Sequence, residues 1–122
     1  MTFKHQKTVP TSSIGETETI LGTLPLTEVN VAPDGREFKD KSLRLNKVEV
    51  EPGGTIAHHS HTHRPAVMYI AEGTIIEYNS KHEKPIHHSV GSLSIEFNDV
   101  SHWWKNETNE KVVIYSAMLV DA

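Results

Sequence analysis

The 122-residue chain has room for one domain, and 36% apolar and 23% charged residues suit a globular protein with a core rather than a disordered chain. The net charge of −4, with lysines and arginines scattered singly among acids, supplies no basic surface for nucleic acid. No apolar run approaches the length of a membrane span, so neither nucleic acid nor a membrane is expected as a partner. Residues 1–10 lack the apolar stretch of a secretory leader, and the expected location is cytoplasmic. Cysteine is absent, which excludes disulfides and thiolate sites and leaves nitrogen and oxygen as metal ligands.

In chain order, residues 1–16 show no period and read as an N-terminal arm, leaving 17–122 as one domain. Thr17 to Leu21 reads as a short strand, and Leu24 to Val31 as a second with Pro25 at its start. Ala32-Pro33-Asp34-Gly35 is a turn. Leu43, Leu45, Val48 and Val50 mark a strand whose phase changes near Asn46-Lys47, which suggests a bulge. A turn at Glu51-Pro52-Gly53-Gly54 leads to a strand from Thr55 to His61. Further strands are expected at 66–71, 74–78, 86–90, 93–97, 101–105 and 111–120, separated by glycine-, proline- or asparagine-containing turns. No window of helical period with caps survives, so the expected class is all-β, a sandwich or barrel.

Histidine is over-represented: nine in the chain, five of them between residues 58 and 82. His59 and His61 are two apart on an expected strand, so they share a face about 6.6 Å apart along the chain and can converge on one ion. An H-x-H pair is also common as surface or as a hydrogen-bonded core pair. By parity, His58 points to the opposite face. His63 has the right parity, but Arg64-Pro65 bends the strand beside it. His102 lies in another strand, and only a closed sheet brings it opposite the pair. Of His87 and His88 at most one lines a barrel; His5 and His82 read as surface. Glu49, Glu77 and Glu96 lie in strands with their facing open, and any one of them is a candidate to fix the tautomer of a ligand histidine.

Two stretches resemble the paired motifs of the cupin superfamily. The first runs Pro52-Gly53, five residues, His59-Ser60-His61, four residues, Ala66, six residues, Gly73. The second runs Gly91, five residues, Phe97, one residue, Asp99, two residues, His102, three residues, Asn106. The resemblance implies a double-stranded β-helix, or jelly-roll barrel, with a divalent metal (iron, zinc, nickel or manganese) held inside by His59, His61 and His102. Gly73, Gly91 and Asn106 match turn or loop positions.

The chain departs from the pattern at Ala66, where the family usually places a glutamate that serves as the fourth ligand. Three imidazoles alone leave a divalent ion at full charge, a stronger Lewis acid with one more open position. That is similar to the three-histidine sites of certain cupin dioxygenases. If position 66 faces inward, so do Met68 and Ile70; if His102 does, so does Trp104, while Trp103 points away. Ala66, Met68 and Trp104 are therefore expected beside a small-molecule ligand, with Arg64 at the mouth. The favoured expectation is a metal-dependent enzyme on a small anionic or enolisable molecule, dioxygenase-like if the metal is iron. No catalytic acid or base stands out in the sequence. A non-catalytic binding or sensor domain and a metal-free structural domain are the alternatives. Resemblance to small single-domain cupins implies a homodimer, paired through the N-terminal arm or the long final strand.

Overall fold

The structure, a computed structural model, describes residues 9–29 and 40–121. Eight strands follow in order: β1 Ile14–Pro25, β2 Lys41–Ser60, β3 Ala66–Glu72, β4 Ile75–Asn79, β5 Ile86–His88, β6 Leu93–Glu96, β7 Ser101–Lys105 and β8 Val112–Asp121. A single 3-10 turn covers Leu26–Glu28. All pairings are antiparallel, in the order β5-β4-β7-β2-β8-β3-β6, with β1 added to β2. The sheet curls into a nearly closed jelly-roll barrel, in agreement with the all-β expectation. Of the expected arm, residues 1–8 lie outside the described residues, as does the turn at 32–35; Ile14 to Glu16 already belong to β1. No described helix is long and apolar enough to cross a membrane.

Alternation builds the core. On β3, Ala66, Met68 and Ile70 are buried while Val67 and Tyr69 are exposed. On β8, Val112, Ile114, Met118 and Val120 turn inward, where they meet Val48 and Val50 of β2 and Trp104 of β7. Trp103 points the other way and stacks on Tyr78, with ring centroids 4.0 Å apart.

The strands expected at 17–21 and 24–31 are one strand, β1, which ends at Pro25 and runs into the 3-10 turn; two further local expectations are corrected. First, residues 51–54 do not separate two strands: β2 runs unbroken through them and bends. Its first half pairs with β8 and its second half with β7, so one strand serves both walls of the barrel. Three features hold the bend open as a strand. β1 runs alongside it, pairing Glu16 with Val50 and Ile14 with Thr55. Gly53 takes φ +77°, a conformation that costs a side-chain-bearing residue. Asn106, fully buried, donates through Nδ2 to the carbonyls of Val50, Glu51 and Glu110 at 2.7–3.2 Å.

Second, there is no bulge in β2 at Asn46-Lys47: its register with β8 is continuous from Lys41 to Val50. The irregularity lies in β1, where Leu21 is extra between the pairs Ile20–Asn46 and Gly22–Leu45. The phase change is a true reversal of polarity. Asn46 occupies an inward position at 3% exposure, whereas Leu43 and Leu45 lie outside at 49% and 43%.

Candidate metal centre

β2 and β7 bring the three histidines together. His59 is the cross-strand partner of His102, and His61 follows at the end of the same β2 edge. Strict alternation would turn Ile56 away from His59. A bulge at Ala57-His58, opposite Trp103, resets the phase, so Ile56 and His59 face the interior together. His58 remains exposed on the cavity rim.

The side chains meet through their Nε2 atoms. His102 Nε2 lies 2.8 Å from His61 Nε2 and 2.9 Å from His59 Nε2. The rings stand at 63–85° to one another. Each Nδ1 faces a group that can only accept: the Ala57 carbonyl at 2.8 Å for His59, the Arg64 carbonyl at 2.8 Å for His61, and Glu77 Oε2 at 2.6 Å for His102. A neutral imidazole carries one proton, and here each Nδ1 must carry it. The three Nε2 atoms then turn lone pairs toward one another, with the Trp104 indole N–H 3.5 Å from that of His102, and a cation seated between them relieves the repulsion. An ion about 2.1 Å from each nitrogen sets adjacent nitrogens roughly 3.0–3.4 Å apart, so a small opening of the triad seats one. The donor set fits a divalent metal.

Electrostatics agree with that reading. Burial, reinforced by the neighbouring His102, pushes His59 down to about 3. Burial pushes His61 down to about 4 against the Arg64 carbonyl, which works the other way. Both rings are therefore neutral ligands near pH 7 without help from a metal.

Behind His102 lies a buried carboxylate pair. Burial disfavours the charge on Glu77, but hydrogen bonds from His102, His88 and Glu96 outweigh it and hold the carboxyl well below its usual range. Glu96 is pushed up to about 8 by burial and by its hydrogen bond to and proximity of Glu77. The pair thus shares one proton, carried on Glu96. Asn79 donates to both carboxylates, and Ser94 joins them. Glu77, Glu96 and His102 also have ligand atoms within 4.8 Å of one another. Their hydrogen bonds are satisfied internally, so this group supports His102 from behind. Of the three glutamates left open by the sequence, Glu77 is the one that fixes a tautomer. Glu49 instead pairs with Lys47 and Lys111 near the surface. His88 is the inward member of its pair.

A cavity of about 230 Å³ opens in front of His59 and His61. Met68 and Trp104 line it, and the Trp104 indole N–H points at His102 Nε2 from 3.5 Å. Arg64 lies at its exposed side. Ala66 is buried but lies outside the lining of this cavity; it packs under the outer face and pairs with Glu96 across the strands. Sequence reasoning missed Glu16 and Glu18 of β1, and Ser116 of β8, all of which line the same cavity. Their signal was polar residues at alternating positions in strands.

The histidine shifts set a pH dependence for the metal-free protein. Below the ordinary imidazole value of about 6.5 the unfolded chain takes up protons that folded His59 and His61 refuse until about 3 and 4. Stability should fall as pH drops from 6.5 toward 4, by up to ~1.4 kcal/mol per pH unit for each histidine. Urea midpoints should show this slope, and His59→Gln should make it shallower; a flat profile would contradict the neutral triad.

Comparison with known proteins fits this centre into a family. The profile of the cupin domain matches residues 46–118. No curated protein sequence matches the chain. Among solved structures, the polyketide cyclase RemF from Streptomyces resistomycificus is 16% identical with a TM-score of 0.66, the match covering 89% of this chain and 68% of that one. The Cnp3 cupin domain of Schizosaccharomyces pombe is 15% identical with a TM-score of 0.65, covering 88% of this chain and 66%, just under two thirds, of that one. KdgF from Halomonas sp. is 15% identical with a TM-score of 0.62, covering 85% and 78%. At such identities the structures speak for the fold alone, but the domain profile spans more than half of the chain, both histidine motifs included, and the chain belongs to the cupin family.

Proposed function

We propose that the chain is a metal-dependent enzyme acting on a small anionic or enolisable molecule, with His59, His61 and His102 as ligands to one divalent ion. The observation that carries this reading is the convergence of three Nε2 atoms on rings whose Nδ1 atoms each face an acceptor. When bound, the ion supplies a Lewis-acid centre with positions open to oxygen atoms of a small molecule, and oxygenase-type chemistry if it is iron.

The rest is the work of the chain's own residues. Ala66 contributes no charge, so three neutral imidazoles leave the centre electropositive and suited to an anion. Arg64, on the same cavity, adds to that field. Ile56, Met68, Trp104 and Ile114 exclude water from one side of the bound molecule. Glu16 is the carboxyl placed to hold or move a proton: it lines the cavity, and burial raises it from its usual range, opposed by a hydrogen bond from Ser13. Met68 and Trp104 serve in this reading as ligand contacts.

Elemental analysis of the untagged protein tests the reading. About one equivalent of metal per chain is expected in the wild type and almost none in His102→Ala, with the barrel still folded. Full occupancy in the mutant would sink the ligand set. Iron would direct the work to oxygen uptake with small acids; zinc or nickel would direct it to isomerase and hydrolase screens.

We also propose a homodimer. Leu45, Val67 and Ile95 form an exposed apolar row across β2, β3 and β6, continued through Ala117 of β8. Light scattering should give twice the chain mass, falling to one chain in Val67→Glu; a monomeric wild type would contradict the pairing.

A further inference from the structure

Within the same cavity one wall carries polar side chains that the proposed metal chemistry does not use. Ser116 of β8 is 3% exposed and lines the cavity, yet its Oγ has no hydrogen-bond partner among the described residues. Its cross-strand neighbours are Asn46 of β2 and Met68 of β3. Asn46 is equally buried, and its Oδ1 also lacks a partner. The orientation of that amide is fixed: Nδ2 donates to Glu18 Oε1 at 2.5 Å, and a carboxylate can only accept from it. Glu18, exposed on β1, lines the open side of the cavity as well. Around these groups the wall is apolar: Val48, Met68, Ile114 and Met118.

An unpaired buried hydroxyl and amide oxygen each cost on the order of 1–3 kcal/mol. An apolar side chain at position 116 would fill the wall without that cost. The groups assembled here are mostly acceptors: the Asn46 Oδ1, the Glu18 carboxylate and the lone pairs of Ser116. The Ser116 proton is the one donor. A partner must therefore donate to the acceptors and also accept from Ser116. An alcohol does both. An ammonium group donates only and would leave the Ser116 proton unpaired. The small cavity, about 230 Å³ against the roughly 300–1,000 Å³ of ordinary ligand pockets, limits the molecule to a short chain or a single ring.

We propose that Ser116 and Glu18, with Asn46 orienting Glu18, form a subsite for the hydroxyl end of a small hydroxy acid whose carboxylate end is held at the three-histidine centre. This rests on the reading of that centre given above. It names the substrate class: an apolar body with oxygens for the ion at one end and a hydroxyl at the other.

The test uses the full chain loaded with zinc and titrated calorimetrically with hexanoate, 6-hydroxyhexanoate and 6-aminohexanoate. The hydroxy acid should bind about tenfold more tightly than hexanoate, the worth of one good hydrogen bond. Ser116→Ala, a change that leaves β8 packed, should erase that preference without weakening hexanoate. Glu18→Gln should reduce it. Equal binding of hexanoate and the hydroxy acid would mean that Ser116 meets water only, and would overturn the proposal. So would a preference that survives in both variants, tighter binding of the amino acid, or binding of none of the three. Should zinc itself fail to bind, the metal reading falls separately, and the same comparison on the metal-free protein decides the subsite.

Discussion

Everything in this molecule that bears on function depends on three Nδ1–H groups being tied down. The carbonyls of Ala57 and Arg64 and the carboxylate of Glu77 each accept from one histidine. That fixes three tautomers at once and turns three lone pairs toward one another. Neutral imidazoles packed in this way favour a cation between them. The anchors differ in kind. Two are backbone carbonyls two and three residues from their histidines, supplied by the local path of β2 and the Arg64-Pro65 loop. The third is a side chain on β4, brought by the pairing of β4 with β7.

Two irregularities in one long strand make the arrangement possible. The bend at residues 51–54 lets β2 leave β8 for β7, carrying His59 opposite His102. The bulge at Ala57-His58 then restores the inward phase, so the histidines share a wall with Ile56 instead of opposing it. Behind β7 the barrel holds a second polar layer, Glu77, Asn79, Ser94 and Glu96, closed on itself by hydrogen bonds. The carboxylate missing at position 66 is thus not missing from the neighbourhood. Negative charge reaches the centre through His102 from behind, while the carboxyls that line the cavity, Glu16 and Glu18, come from β1.

The fold was legible because alternation and turn residues are local signals. The strands from β3 onward fall within a few residues of their expected places, and the spacing of both motifs located the three histidines. What failed were features set by tertiary contact. The turn expected at 51–54 is a bend because β1 and Asn106 hold it extended, and neither influence is visible in those four residues. The phase change at Asn46 was real, but its meaning was inverted: the leucines face out and the asparagine faces in. The same bias hid Ser116 and left Glu77 undecided, since parity reasoning assigns apolar residues to the inside. An inward polar residue declares itself only once its neighbours across the sheet are known. Glu16 escaped because β1 starts within the stretch taken for an arm, and Glu18 because nothing in its short strand showed which way it faces.

The account's central claim is the tautomeric state of the triad, and nitrogen-15 NMR of the imidazole rings measures it directly. In the metal-free protein at pH 7, His59 and His61 should be neutral, and all three rings should carry a proton at Nδ1. Addition of zinc should shift the three Nε2 resonances while leaving the Nδ1 protons in place. An imidazolium among the three, or a ring protonated at Nε2, would mean that a proton rather than a metal ion resolves the convergence, and the metal centre would not stand.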